Sequence, residues 1–326
     1  MKVAILSYLN TAYFQLFLHL TTLLNFNMKN IIVYILAIAT LSSCEKVIPF
    51  TGEVTQPKLV VNSLFDAENS WNVHISQSLS VIDTGNLSIV ENASVLIKDN
   101  QDNIIETLLY DSMGRYSGSA FPQLGQNYRI EVSAPGFNSV SSENNLPSPI
   151  TISNVDTSTT YINSEQRFEM SVTINDPSGI SNYYLISVHA GGWFEEEFWN
   201  GNSWSIDTVF YDFTVPILVD DPTFENYGSN RWENKGIFTD ITFDGQTKTI
   251  DIAIDSESVE AKPTDLDFFE VRIYNITQAA YLYNKSYDLY MNASGNPFAQ
   301  PVQVYSNIDG GFGLFAGSQL NVFSIL

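Results

Sequence analysis

The 326-residue chain is poor in the residue types that carry most enzyme chemistry: it has one cysteine, three histidines, and 14 lysines and arginines against 36 acidic residues, for a formal charge of −22. A single cysteine, Cys44, excludes an internal disulfide. With so few His and Cys, no cluster has transition-metal ligand spacing, so neither a metal nor a cofactor is expected. The shortage of base excludes a surface that could displace counterions from phosphates, so no nucleic-acid partner is expected. It also excludes a polybasic patch on anionic lipid. After Cys44 no apolar run approaches the roughly 20 residues of a membrane-spanning helix. The acid itself reads as solubility outside the cell.

What is present begins at the N-terminus. Met28-Lys29-Asn30 followed by the apolar stretch Ile31 to Leu41 has the layout of a secretory signal. It ends in Leu41-Ser42-Ser43-Cys44, similar to the lipobox of bacterial lipoproteins, in which the cysteine sulfur is acylated. Residues 1–43 are therefore expected to be leader, with translation starting at Met28 or, with a longer leader, at Met1. Cys44 is then the lipidation site and 44–57 a lipid-anchored tether. The alternative is a plain signal or uncleaved anchor beside an accidental cysteine. Two or three acyl chains hold a protein stably where one does not. Glu45 after the cysteine fits outer-membrane delivery, with the periplasmic or surface-exposed side left open.

The rest reads as mainly β. Short β-prone runs at 58–64, 71–76, 93–98, 104–110, 114–116 and 127–132 are separated by Asp/Asn/Gly turns at sandwich-like intervals, which predicts an N-terminal module over 58–146. Its pattern is similar to immunoglobulin-like, transthyretin-like and carboxypeptidase-regulatory-like sandwiches. Leu146-Pro147-Ser148-Pro149 marks a boundary, and 150–326 forms a second β-rich region. There, 168–174 and 182–188 read as a hairpin across Asp176-Pro177-Ser178-Gly179, and 236–243 with 249–254 as another across Asp244-Gly245. A strand is expected at 268–274. One C-terminal α-helix is expected near 277–292, capped by Thr277, with Ile276, Ala280, Tyr283, Tyr287 and Tyr290 packed on the sheet. The glycines of Asp309-Gly310-Gly311-Phe312-Gly313-Leu314-Phe315 predict a tight turn.

Five segments recur together in order: Ser43 to Ile48, Pro57 to Val61, Asp176 to Tyr184, Phe238 to Gly245, and Asn296 to Phe315. In this combination the chain resembles domain-of-unknown-function family 4249 (DUF4249), outer-membrane lipoproteins of Bacteroidota, over essentially the whole region after Cys44. The resemblance implies an outer-membrane protein anchored by lipid and acting as an accessory partner of a TonB-dependent receptor or other outer-membrane β-barrel. It supplies no reaction and no catalytic residues.

Few residues suit catalysis. His74 reads as the solvent side of a strand and His189 as a strand end, and no Gly-x-Ser-x-Gly elbow is present. Glu195-Glu196-Glu197 and Asp220-Asp221 could supply paired carboxylates for glycoside hydrolysis. Adjacent acids on a strand point to opposite faces, which argues against it. Calcium at Asp99 to Asn103 or at Asp220-Asp221 is weighed against ordinary turn chemistry, and the turn is preferred. The most unusual stretch is Trp193 to Trp204, with three tryptophans and three glutamates, followed by Tyr211 and Phe213. It predicts a long hairpin with an aromatic, acidic rim, with Trp193, Trp199, Trp204 and Tyr211 as partner or ligand contacts or, equally, core-closing rings. The expectation is a binding protein and not an enzyme: a barrel partner, with a surface glycan- or nutrient-binding lipoprotein and a carboxylate hydrolase as alternatives.

Overall fold

A computed structural model describes residues 56–80, 88–162, 165–219, 221–225, 232–255, 266–294, 296 and 298–325. The leader, Cys44, most of the tether and Asp220 lie outside the described residues. The protein is mainly β, with one twelve-stranded sheet, one four-stranded sheet and one helix among the described residues. No described helix is long and apolar enough to cross a membrane.

Alternation builds the first core. In β1 (Leu59–Phe65), β2 (Asn72–Gln77), β3 (Ser94–Lys98) and β6 (Asn127–Ser133) every second residue is buried, as a half-solvated sheet requires. β4 (Ile104–Tyr110) pairs first with β3 and then, at Leu109 and Tyr110, with β5 (Arg115–Ser117). That change of partner folds the sheet over itself as a sandwich corner does. β7 (Val140–Asn145) pairs with β6. Between the layers lie Val61, Val73, Ile75, Ile97 and Ile130, each buried and each contributing about 1.5–3 kcal/mol. Trp71 stands 5.0 Å from Phe65 and 4.9 Å from Tyr128, ring centre to ring centre.

The second core lies between β8 (Thr151–Ile162), β9 (Glu165–Asn175), β12 (Ile217–Val219) and β14 (Thr247–Asp255) on one side, and β10 (Tyr183–Trp199) with β15 (Phe268–Ile276) on the other. Met170, Ile174, Ile252, Tyr184, Ile186 and Ile273 fill it. β11 (Trp204–Val215) and β13 (Gly236–Thr239) both pair with β10.

β16 (Phe312–Ser324) joins the two halves. Phe312 to Gly317 pair parallel with β1, and Ser318 to Ser324 pair antiparallel with β15. Phe315 enters the first core, 4.8 Å from Phe65, and Asn307 holds its backbone at both polar groups, at 2.7 and 3.0 Å. The glycines before it make the expected turn, but the turn opens into a strand in the middle of the sheet.

Three further expectations are corrected. β9 and β10 do not pair: β9 belongs to the four-stranded sheet and β10 to the larger one, so Asp176 to Gly179 begin a crossover and not a hairpin. The same holds for β13 and β14, and the strand expected to run to Phe243 stops at Thr239. The helix α1 (Gln278–Ala293) has Thr277 at its N-cap without a side-chain capping bond. Ala279, Ala280 and Tyr281 bury against the sheet, whereas Tyr287 and Tyr290 are exposed. Only the first half of the expected tyrosine face is packed.

Candidate functional site

β10 outruns its sheet. Its pairing with β15 ends at Gly191 opposite Phe268, and beyond that point it is paired only with β11, up to Trp199 opposite Trp204. Gly191 lets this happen: a Cβ there would collide with the Phe268 ring and stand 2.6 Å from the Tyr211 carbonyl oxygen. The projecting hairpin closes at Asn200, whose side-chain oxygen accepts the N–H groups of Asn202 and Ser203 at 3.0 and 2.9 Å.

Strand alternation and register sort the hairpin into two faces. One carries Trp193, Glu195, Glu197 and Trp199 opposite Phe210, Thr208, Ile206 and Trp204. Trp193, Trp199 and Trp204 are 58, 55 and 67 % exposed, and Ile206 is 64 % exposed, so these rings do not close a core. They pair edge to face, Trp193 with Phe210 at 5.3 Å and Trp199 with Trp204 at 5.8 Å. Tyr211 lies on the other face, packs against Phe194 and donates its hydroxyl to Glu196, which raises the phenol's pKa. From 193 to 213 there are five acids and no lysine or arginine.

The tryptophan face runs back along β10 through His189, Ser187 and Leu185 into a groove of about 810 Å³ beneath α1. Its helix wall includes Tyr283 and Tyr287, whose rings stack 6.1 Å apart with planes within 8°. Lys235 donates to Asn284 at 2.5 Å and lies 3.5 Å from Asp288 on the same wall. Sequence reading missed this groove because its walls come from positions as far apart as Asn62 and Asp288.

Ser187, His189 and Asp212 have the composition of a hydrolytic triad, with His189 Nε2 3.1 Å from Ser187 Oγ and Nδ1 3.5 Å from Asp212. Arg272 changes the proton layout. Its guanidinium can only donate, and it reaches His189 Nδ1 at 3.1 Å, so Nδ1 accepts and Nε2 carries the proton. A serine's general base needs the reverse. Burial, and then the charge of Arg272, lower the imidazole pKa further.

The other candidates resolve into structure. Asp99 turns its carboxylate on its own loop, to Gln101 and Asn103. Asp221 is buried against Lys248 at 2.7 Å. His74 is a half-buried strand residue between the buried Val73 and Ile75. Glu195, Glu196 and Glu197 alternate between the hairpin faces.

A search of curated proteins finds no match. A family model described as a domain of unknown function, DUF4249, matches residues 45–321, which takes in both sandwiches, the projecting hairpin and the groove. The chain therefore belongs to the DUF4249 family.

Proposed function

We propose that this protein is a non-enzymatic outer-membrane lipoprotein, anchored through acylated Cys44, that acts as an accessory subunit of an outer-membrane β-barrel such as a TonB-dependent receptor and docks on it through the β10–β11 hairpin. The observation that carries this reading is the exposed tryptophan face. Two strands alone in water are marginally stable, and solvent-facing tryptophans in a row are the side chains that dominate protein interfaces. The five acids around them favour a basic contact surface on the partner and steer its approach. The reversed proton layout at His189 supports binding over hydrolysis. The test is a mild-detergent pull-down of tagged, lipidated protein from membranes, with Cys44→Ser as control. A stoichiometric barrel that is recovered with wild type and lost with Trp199→Ala/Trp204→Ala supports the reading; lipoprotein recovered alone at native expression overturns it.

The groove favours a second reading, a surface glycan- or nutrient-binding lipoprotein. Its size suits a small ligand, and a stacked tyrosine pair beside Asn284 and Lys235 offers ring faces and hydrogen bonds together. Saturable calorimetric binding of an oligosaccharide, abolished by Tyr287→Ala, would move the assignment there.

A further inference from the structure

The geometry points to a calcium site built by Asp176, Asp240, Asp244 and the side-chain carbonyl of Asn182, at the place where the chain twice crosses between the two sheets. Asp176 opens the crossover from β9 to β10. Asp240 and Asp244 lie in the crossover that returns from β13 to β14. Each of the three offers a ligand atom, and those atoms all lie within 4.8 Å of one another. Oxygens held about 2.4 Å from a common calcium ion cannot be more than about 4.8 Å apart, and this set meets that condition.

The carboxylates are held in place by neighbouring donors. Asp176 accepts the Tyr184 hydroxyl and the Gly245 N–H, the latter at 2.8 Å. Asp240 accepts the Asn182 N–H at 2.7 Å, and Asp244 accepts the Gly179 N–H at 2.8 Å. Each of these oxygens keeps a second lone pair. Asp176 and Asp240 are 7 and 4 % exposed, and no described lysine, arginine or histidine forms an ion pair with any of the three. Buried like charges without a counter-ion are unfavourable.

The independent observation is Asn182. It is 6 % exposed, its backbone N–H is bonded to Asp240, and its side-chain oxygen is buried without any donor. A buried orphan acceptor on a residue hydrogen-bonded to one of the three carboxylates is what a cation would satisfy. Oxygen donors alone select a hard cation, and ligands from two irregular crossovers suit calcium's flexible shell over magnesium's strict octahedron.

The test uses the full chain, stripped with chelator and titrated with calcium chloride by calorimetry and thermal melting. One saturable site is expected, with a Kd on the order of 0.1–1 mM and Tm raised by roughly 5 °C near saturation. Magnesium should bind at least about tenfold more weakly. Asp244→Asn keeps an acceptor for Gly179 on an exposed residue and should weaken calcium at least about tenfold; Asp240→Asn, checked for native circular dichroism, should do the same. No heat and no Tm change up to about 10 mM calcium, equal binding of magnesium, or full binding by both variants would overturn the assignment. The result is independent of whether the hairpin docks.

Discussion

Gly313 and Val61 face each other across the parallel pair of β16 and β1, so closely that a Cβ at position 313 would overlap the Val61 carbonyl oxygen and stand 2.8 Å from its carbonyl carbon. The backbone of Gly313 is also left-handed, at φ +110°. Gly313→Ala should therefore cost about 2–4 kcal/mol by combining strain with a clash. Urea denaturation followed by circular dichroism should show a lowered midpoint; an unchanged midpoint would mean that β16 and β1 are not in this register.

The hairpin rings should be separable from stability. Trp199 and Trp204 are more than half exposed, so replacing both with alanine should change unfolding free energy by less than about 1 kcal/mol. Loss of about 2 kcal/mol of binding at an interface anchor would cut barrel affinity roughly 30-fold. Pull-down yield and melting temperature, measured on the same preparation, distinguish the two.

Lys248 neutralises Asp221, whose carboxyl burial pushes up and whose bonds from Lys248 and Thr223 pull below its ordinary value. A depressed carboxylate adds stability that is present above the unfolded value, about 3.9, and is lost as pH falls through the folded one. Lys248→Met should cost about 3 kcal/mol at neutral pH by leaving a buried charge unpaired. The deficit should shrink as Asp221 is protonated, and denaturant melts between roughly pH 3 and 7 check the trend.

His189 should make the base of the hairpin acid-sensitive. Its folded pKa is depressed by burial and then by Arg272. The neutral ring's contribution is thus present above the unfolded value, about 6.5, and is lost as pH falls through the folded value. His189→Gln should flatten the fall in Tm on acidification. A His189 ring that titrates normally by NMR would refute the Arg272 bond.

Much of the strand content was legible because alternation at β1, β2, β3, β6 and β9 needs only local sequence. Trp193 to Trp204, with Asn-Gly at its centre, likewise announced a hairpin. The partners of each strand were not legible. Asp176-Pro177 and Asp244-Gly245 signal a chain reversal, and a reversal into the facing sheet uses the same residues as one within a sheet. The polar strands β7 and β8 lack an apolar rhythm. β16 was hidden by its own glycines, which serve close backbone approach at Val61 and not a loop. The Asp176, Asp240 and Asp244 cluster escaped for a related reason: its members read as turn formers until the crossovers bring them together.

The two-partner strand β16 also sets a timetable. Ile308 and Phe315 belong to the core formed by residues 59–146, so that sandwich waits for a segment made long after its other strands. Contacts of such sequence separation form slowly, and meanwhile the β1 edge stays open to pairing with other chains. Vectorial synthesis thus delivers an incomplete first module. Chaperone demand should end only when residues 308–324 arrive, and a nascent chain halted before them should aggregate where the full chain does not.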